Sequence, residues 1–269
     1  MRETAYAKIN LALHIRSREP DGYHNIETLF AFCEEGDELE ALPSAMVDLR
    51  MDGPMAADLV EEADNIVLRA ARLLPAAGRG ASIRLTKRLP VAAGLGGGSA
   101  DAAAAMRLLD RFWNLGLGPD RLVGLAKSLG ADVPACIRSV TARGEGRGDR
   151  VEPVAATGLT GTPVLLVNPR KALSTARVFQ GWDGIDRGPL RADWIDGRND
   201  LEPVASAMVP EITEILDRLR AQPGAEMARM SGSGATCFAL FGSDADRDAA
   251  RCAIAADHPG WWQIASRLR

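Results

Sequence analysis

Four glycines stand in the six residues Gly94-Leu95-Gly96-Gly97-Gly98-Ser99, and an alanine-rich segment of helical periodicity follows them. Glycine's access to positive φ lets consecutive backbone N–H groups curl around an anion, and the free N–H groups and partial positive charge of a following helix add to the attraction. Phosphate is the natural guest, and the Ser99 hydroxyl is a candidate contact for phosphate or for a bound Mg²⁺. A tight strand-to-helix turn accounts for the same glycines without a ligand. Several known phosphate-binding classes are excluded. No Gly-Lys-Ser/Thr occurs in the chain, and Gly94-x-Gly96-x-x-Ser99 lacks the third glycine of the dinucleotide fingerprint. The His-Arg-Asp and Asp-Phe-Gly elements of protein kinases are missing as well.

A second group of chemically capable residues surrounds this segment in the sequence. From Ala5 to Ile15 apolar residues alternate with Tyr6, Lys8, Asn10, Ala12 and His14, the period of a strand, so Lys8, Asn10 and His14 share one face. Asp21-Gly22 marks a turn that carries Tyr23 and His24. Asp132 follows a helix stop at Gly130 and lies two residues before Pro134, which disfavours helical geometry at Val133 and predicts an exposed loop carboxylate. Ser231-Gly232-Ser233-Gly234 sits between two strand-like runs, where a bare hairpin turn is the competing reading. Asp64 or Asn65 can cap a helix running to about Leu74.

The elements that must position these residues are mixed. Strands are predicted over 5–15, 26–33, 81–87 and 163–167, with a weaker one over 37–51. Helices are predicted over 65–74, 99–113 and 119–129, then around Ile212–Leu219 and over 244–256. Two strands flanking Ser231–Gly234 and a last one near Trp261 complete the pattern. Their irregular order favours α+β over a regularly wound parallel sheet, with a domain boundary near Gly161 that separates 1–160 from 161–269. The balance of 32 Lys+Arg against 36 Asp+Glu lacks the basic excess of a nucleic-acid binder. No apolar run approaches membrane-spanning length, and no signal-like segment opens the chain. The four cysteines show neither C-x-x-C spacing nor the density of a disulfide scaffold, so reduced, mostly buried thiols and a cytoplasmic location are expected. Nothing in the pattern singles out an oligomeric interface.

The run Leu89-Pro90-Val91-Ala92-Ala93-Gly94-Leu95-Gly96-Gly97-Gly98-Ser99-Ala100-Asp101 resembles the central motif of the GHMP kinases, the family of galactokinase, homoserine kinase, mevalonate kinase and phosphomevalonate kinase. Ala5-Tyr6-Ala7-Lys8-Ile9-Asn10-Leu11 is similar to the family's first motif, and Met230-Ser231-Gly232-Ser233-Gly234-Ala235 to its third. The resemblance implies a two-domain α+β fold, with a ribosomal protein S5 domain 2-like N-terminal domain and a ferredoxin-like C-terminal domain. It also implies Mg²⁺ATP as phosphoryl donor. Within the family, Asp21-Gly22-Tyr23-His24, Gly130-Ala131-Asp132-Val133-Pro134 and Asn199-Asp200-Leu201-Glu202 are similar to one branch. That branch phosphorylates the tertiary 2-hydroxyl of a cytidine diphosphate-linked methylerythritol in the non-mevalonate route to isoprenoid precursors.

By this resemblance Asp132 is the catalytic base, and Lys8 the cation that keeps it ionised, orients the hydroxyl and stabilises charge on the transferred group. The nucleotide contacts are Asn65, Gly94, Leu95, Gly96, Gly97, Gly98, Ser99, Ser231, Gly232, Ser233 and Gly234, although helix capping explains Asn65 without a ligand. Asn10, Tyr23, His24, Thr175 and Phe179 are the substrate contacts, with the cytosine between Tyr23 and Phe179 and hydrogen-bonded by His24. Ala93 departs from the pattern, since many relatives carry glycine there. The competing readings are a GHMP kinase for another small alcohol, such as homoserine or phosphomevalonate, and a catalytically silent nucleotide sensor on the same fold.

Overall fold

The computed structural model describes residues 1–58, 65–155 and 158–269. The expectation that Asp64 caps the first helix lies outside the described residues. The chain forms two compact units, each assembled from three segments: Met1–Lys8, Glu35–Val91 and Gly96–Val140 in the first, and Ile9–Glu34, Ala92–Leu95 and Thr141–Arg269 in the second. Strands β1 (Arg2–Arg18) and β2 (His24–Leu42) pair with each other, and each gives one end to either unit.

In the first unit, β3 (Val47–Asp52) runs parallel to β4 (Ala81–Thr86), and β4 runs antiparallel to the end of β2 in the register Glu38↔Thr86 to Leu42↔Ser82. One continuous strand therefore replaces the break expected between residues 33 and 37. Gly36 carries it past β1, because a Cβ there would fall 1.9 Å from the Ala5 carbonyl oxygen. Helix α1 (Ile66–Leu73) is capped by Asn65, whose Oδ1 accepts from the Val67 N–H at 2.9 Å. Helix α2 (Gly97–Phe112) is buried on all sides from Ala100 to Met106, so it is a core helix rather than an amphipathic surface one, and its alanines permit the close packing. It begins two residues before the expected start, inside the glycine run. Helices α3 (Gly118–Ala126) and α4 (Val133–Arg138) close the unit.

Helix α4 corrects the expectation that Val133 avoids helical geometry, while Ala131 and Asp132 lie in the turn before it. Asp132 itself has αR dihedrals (φ −80°, ψ −21°) and caps the helix, with Pro134 in its first turn, where a missing N–H costs no hydrogen bond.

In the second unit, β5 (Ala142–Gly146) pairs antiparallel with the start of β2 and with β6 (Arg150–Pro153), a hairpin that the sequence pattern did not disclose. The remaining strands β7 (Pro163–Asn168), β8 (Ala225–Met230), β9 (Cys237–Phe241) and β10 (Trp262–Arg267) form an antiparallel sheet in the order β10-β7-β9-β8, which is ferredoxin-like. Short helices α5 (Thr175–Gln180) and α6 (Glu202–Met208) precede α7 (Glu211–Arg220) and α8 (Asp244–Asp257), which join a core that includes Val167, Ile212, Leu216, Phe241 and Ile254. Three cysteines are buried thiols and Cys252 is exposed.

Candidate active site

In the first unit, β1 delivers Lys8 into the interior, 4% exposed, and its Nζ lies 3.1 Å from Asp132 Oδ2 at the cap of α4. Lys8 is thus a buried cation on the face of β1 that it shares with Asn10 and His14. A buried ammonium persists only when paired, and Asp132, whose side chain is 34% exposed, supplies the pair while keeping one edge toward solvent. Gly96 caps α2 in the left-handed conformation (φ +62°), and a Cβ there would lie 2.9 Å from Lys8 Cε and 3.7 Å from Asp132 Oδ2. The glycine run is therefore bare backbone beside the Lys8–Asp132 pair. Ala100 N–H makes the first intrahelical bond, to the Gly96 carbonyl at 2.8 Å, so the amides of Gly97, Gly98 and Ser99 precede the helical ladder and can face an anion.

Behind this turn lies a cluster that sequence reasoning missed. Lys87 Nζ donates to Asp37 and, at 2.6 Å, to Asp101 Oδ2, and all three residues are buried. Asp37 Oδ1 also accepts from the backbone N–H groups of Arg88 and Leu89, so the cluster ties the end of β4 to the first turns of α2. A Cβ on Gly97 would come 3.7 Å from Lys87 Nζ, which places the ammonium directly beneath the loop. Burial raises the Asp101 carboxyl pKa to about 7, with Asp37 adding to the rise against the opposing pull of Lys87. One cation between two carboxylates balances only one of them. Asn65 stands at the head of α1, and the side chain of Ile66 approaches within 4.0 Å of a Cβ built on Gly98. The Asn65 Oδ1 is committed to capping, accepting from the Val67 N–H.

In the second unit, Gly94 (φ +75°) meets the Ser231–Gly234 loop so closely that a Cβ on it would lie 2.3 Å from the Ser231 carbonyl oxygen. Ser231 Oγ donates to the Gly94 carbonyl at 2.9 Å and accepts from the Asn10 N–H at 3.2 Å. Thr236 N–H donates to the Ala93 carbonyl at 3.2 Å. Two further residues hold this arrangement. Asn199 Nδ2 donates to the carbonyls of Met230 and Gly232, both at 2.8 Å, and Thr28 accepts from Asn10 Nδ2 at 2.8 Å while donating to the Ala12 carbonyl. Asn10 is 2% exposed, and its amide nitrogen serves the fold. Asn199 had a readable signal, its place in the Asn199-Asp200-Leu201-Glu202 run that carries the resemblance, whereas a lone Thr28 in a strand had none.

Elsewhere in this unit Thr175 Oγ1 lies 2.9 Å from Ser233 Oγ. His24 is buried, with its ring 5.1 Å from that of Phe179 at an angle of 44°, and Arg18 Nε donates to its Nε2 at 3.1 Å. Burial, and after it the charge of Arg18, lowers the His24 pKa. Tyr23 is 58% exposed beneath the guanidinium of Arg147, which lies 4.0 Å from the ring centroid and pairs with Asp21. The ring partner of Phe179 is thus His24, and that of Tyr23 is Arg147.

Residues 65–139 match the model of the GHMP kinases N-terminal domain, and residues 190–259 that of the GHMP kinases C-terminal domain. A 4-diphosphocytidyl-2-C-methyl-D-erythritol kinase of Rhizorhabdus wittichii is 58% identical, over 99% of this chain and 94% of the relative. The chain belongs to the GHMP kinase family. A relative of the same description from Sphingopyxis alaskensis is 53% identical to this GHMP kinase, over 100% of it and 99% of the relative. A crystal structure of a 4-(cytidine 5'-diphospho)-2C-methyl-D-erythritol kinase superposes with a TM-score of 0.84 at 34% identity, covering 100% of this chain and 99% of the other. A mevalonate kinase structure (TM-score 0.72, 11% identity, 100% and 99% covered) shares the fold.

Proposed function

We propose that this GHMP kinase transfers the γ-phosphoryl group of ATP to the 2-hydroxyl of 4-diphosphocytidyl-2-C-methyl-D-erythritol, a step toward isoprenoid precursors. The observation that carries the reading is the buried Lys8 ammonium 3.1 Å from the partly exposed Asp132 carboxylate, beside the bare backbone of Gly96. That pair lets Asp132 accept the proton of an incoming hydroxyl while Lys8 holds the resulting alkoxide and the charge on the transferred group. A loose phosphoryl-transfer transition state asks mainly for positioning and charge neutralisation, and a fixed cation next to free helix N-terminal amides supplies both. The choice of acceptor is supported by full-length relatives at 58% and 53% identity that carry that activity in their names.

Within this reading the backbone amides of Gly94 to Ser99, and the Ser231–Gly234 loop, hold the phosphates of ATP, and Asn65 stands at the nucleoside end. Tyr23, His24 and Phe179 take the cytosine, with Thr175 at the remainder of the substrate, while the buried Asn10 side chain, whose amide donates to Thr28, supports the strand that carries it. Among the described residues no group of three His, Cys, Asp or Glu side chains is placed to hold a metal ion. A single hydroxyl from this chain, Ser99, fits Mg²⁺ held chiefly by phosphate and water oxygens. Bound there, such an ion would supply charge neutralisation for the transferred phosphoryl group. Among the described residues no helix is long and apolar enough to cross a membrane, and we read the enzyme as acting in the cytoplasm on a small molecule.

The test is ADP release by the purified protein with Mg²⁺ATP and, separately, the cytidyl compound, homoserine and phosphomevalonate. Turnover with the cytidyl compound alone is expected. Turnover with another alcohol would overturn the acceptor assignment, and ATP binding without turnover on any of the three would point to a silent nucleotide sensor.

A further inference from the structure

Arg18 is not among the residues that the family pattern supplies, yet it touches the proposed base pocket twice over. Its Nε donates to His24 Nε2 at 3.1 Å. Its Nη2 donates to the Gln180 carbonyl at 3.0 Å and, more weakly, to those of Phe179 and Trp182 at 3.4 Å each. The guanidinium is thus anchored on the C-terminal carbonyls of α5, the helix that carries Phe179, where a cation is stabilised by the helix dipole.

An arginine has donors and no acceptor and is not deprotonated in proteins. His24 Nε2 must therefore present its lone pair to Arg18, and in the neutral ring the proton must reside on Nδ1. Burial and the adjacent guanidinium both oppose protonation of the ring, which agrees with a neutral imidazole. Packing fixes the orientation of the ring as well as its proton: Phe179 lies against it at 5.1 Å, and Trp182 meets it edge-on at 5.7 Å and 80°. Among the described residues Nδ1 makes no hydrogen bond, so the edge that remains for a ligand is a hydrogen-bond donor.

We propose that Arg18 is a specificity-determining residue, which by occupying Nε2 holds His24 as an Nδ1–H donor and thereby selects cytosine over uracil. This inference rests on the base-pocket reading proposed above. Cytosine N3 is an acceptor and complements the Nδ1–H; uracil carries an N3–H at the same position, and two donors then face each other at a buried imidazole. A mismatch of that kind leaves both groups without partners, which is worth about tenfold to a hundredfold in affinity.

Two experiments test it. The first is ¹⁵N-detected histidine NMR of the unliganded protein at neutral pH. The chain holds three histidines, so His24 is assigned by loss of its signals in His24→Gln. A protonated Nδ1 and a pyridine-like Nε2 are expected; a His24 protonated on Nε2 would overturn the inference without any variant of Arg18. The second compares kcat/KM for the cytidine diphosphate-linked substrate and its uridine diphosphate-linked counterpart. Arg18→Met should erode the wild-type preference for cytidine by about tenfold to a hundredfold, acting through KM with kcat nearly unchanged. It should also shift His24 toward the Nε2–H tautomer. Arg18→Lys, which keeps a donor, should retain most of the preference. Equal losses on both substrates would make Arg18 merely structural and would also overturn the inference. A wild-type enzyme indifferent to the base would instead refute the base pocket itself, and the inference with it.

Discussion

Lys8 and Asp132 make a pair whose members differ in what they lose by substitution. Lys8 is buried, so removing its charge also removes the counter-ion that holds the Asp132 carboxylate in place. Asp132 retains an edge toward solvent, so an isosteric amide there changes chemistry with little cost to the fold. Asp132→Asn is therefore the cleaner probe. It should lower kcat by about 100-fold or more while leaving ATP affinity within about twofold, as expected for a group that acts on the hydroxyl proton. Steady-state kinetics alongside ATP-binding calorimetry checks this, and equal losses in both would refute the role. Residue by residue, the sequence pointed to these two through their flanking motifs, and their charged groups lie 3.1 Å apart. It did not disclose that Asn10 would be spent on Thr28, or that Asn199 would carry the Met230 and Gly232 carbonyls, because those partners are far apart in the chain.

At the level of elements, the glycines of the loop are not equivalent. Gly96 sits at φ +62° with Lys8 Cε 2.9 Å from where a Cβ would lie, whereas Gly98 is inside α2 with only Ile66 Cγ2 at 4.0 Å. Gly96→Ala should cost about 1–2 kcal/mol in urea unfolding from the left-handed backbone alone and should also depress kcat by displacing Lys8. Gly98→Ala should be neutral or stabilising by up to about 1 kcal/mol, because the helix loses less chain entropy on folding. Similar destabilisation by both would contradict the distinction.

The Asp37–Lys87–Asp101 cluster behind the same turn makes a second prediction. The Asp101 carboxyl rises from 3.8 to about 7 because burial disfavours its charge, so between those values the folded protein holds a proton that the unfolded chain has released. Its contribution to stability is complete below the lower value and is lost as the pH rises toward the upper one. Asp101→Asn should therefore flatten the pH dependence of the unfolding free energy over that interval. A variant whose stability tracks the wild type in parallel from about pH 5 to about pH 8 would overturn the assignment.

Across the whole molecule, the apolar periodicities disclosed the α+β class and most elements, and they failed where tertiary packing replaces local pattern. The β5–β6 hairpin is one such place: Gly144 lies where a Cβ would come within 2.6 Å of the Phe30 ring, so its strand shows no alternation to read. The start of α4 is another, since Pro134 both forbids mid-helix geometry and suits a first turn, and the sequence does not choose. The connectivity of the chain has a consequence for unfolding. It passes between the two units inside β1 and inside β2, with no linker at either place. Melting one unit alone would leave half of each strand with unpaired backbone groups next to a half still in its sheet, a state costlier than releasing a unit joined by a flexible tether. One cooperative transition is therefore expected. Trp113 belongs to the first unit and the other four tryptophans, Trp182, Trp194, Trp261 and Trp262, to the second, so in Trp113→Phe the fluorescence reports the second unit while far-UV circular dichroism also reports α1 to α4. Coincident urea midpoints by the two probes would establish coupled unfolding, whereas a dichroism transition that splits from the fluorescence transition would show that the units melt separately despite the shared strands.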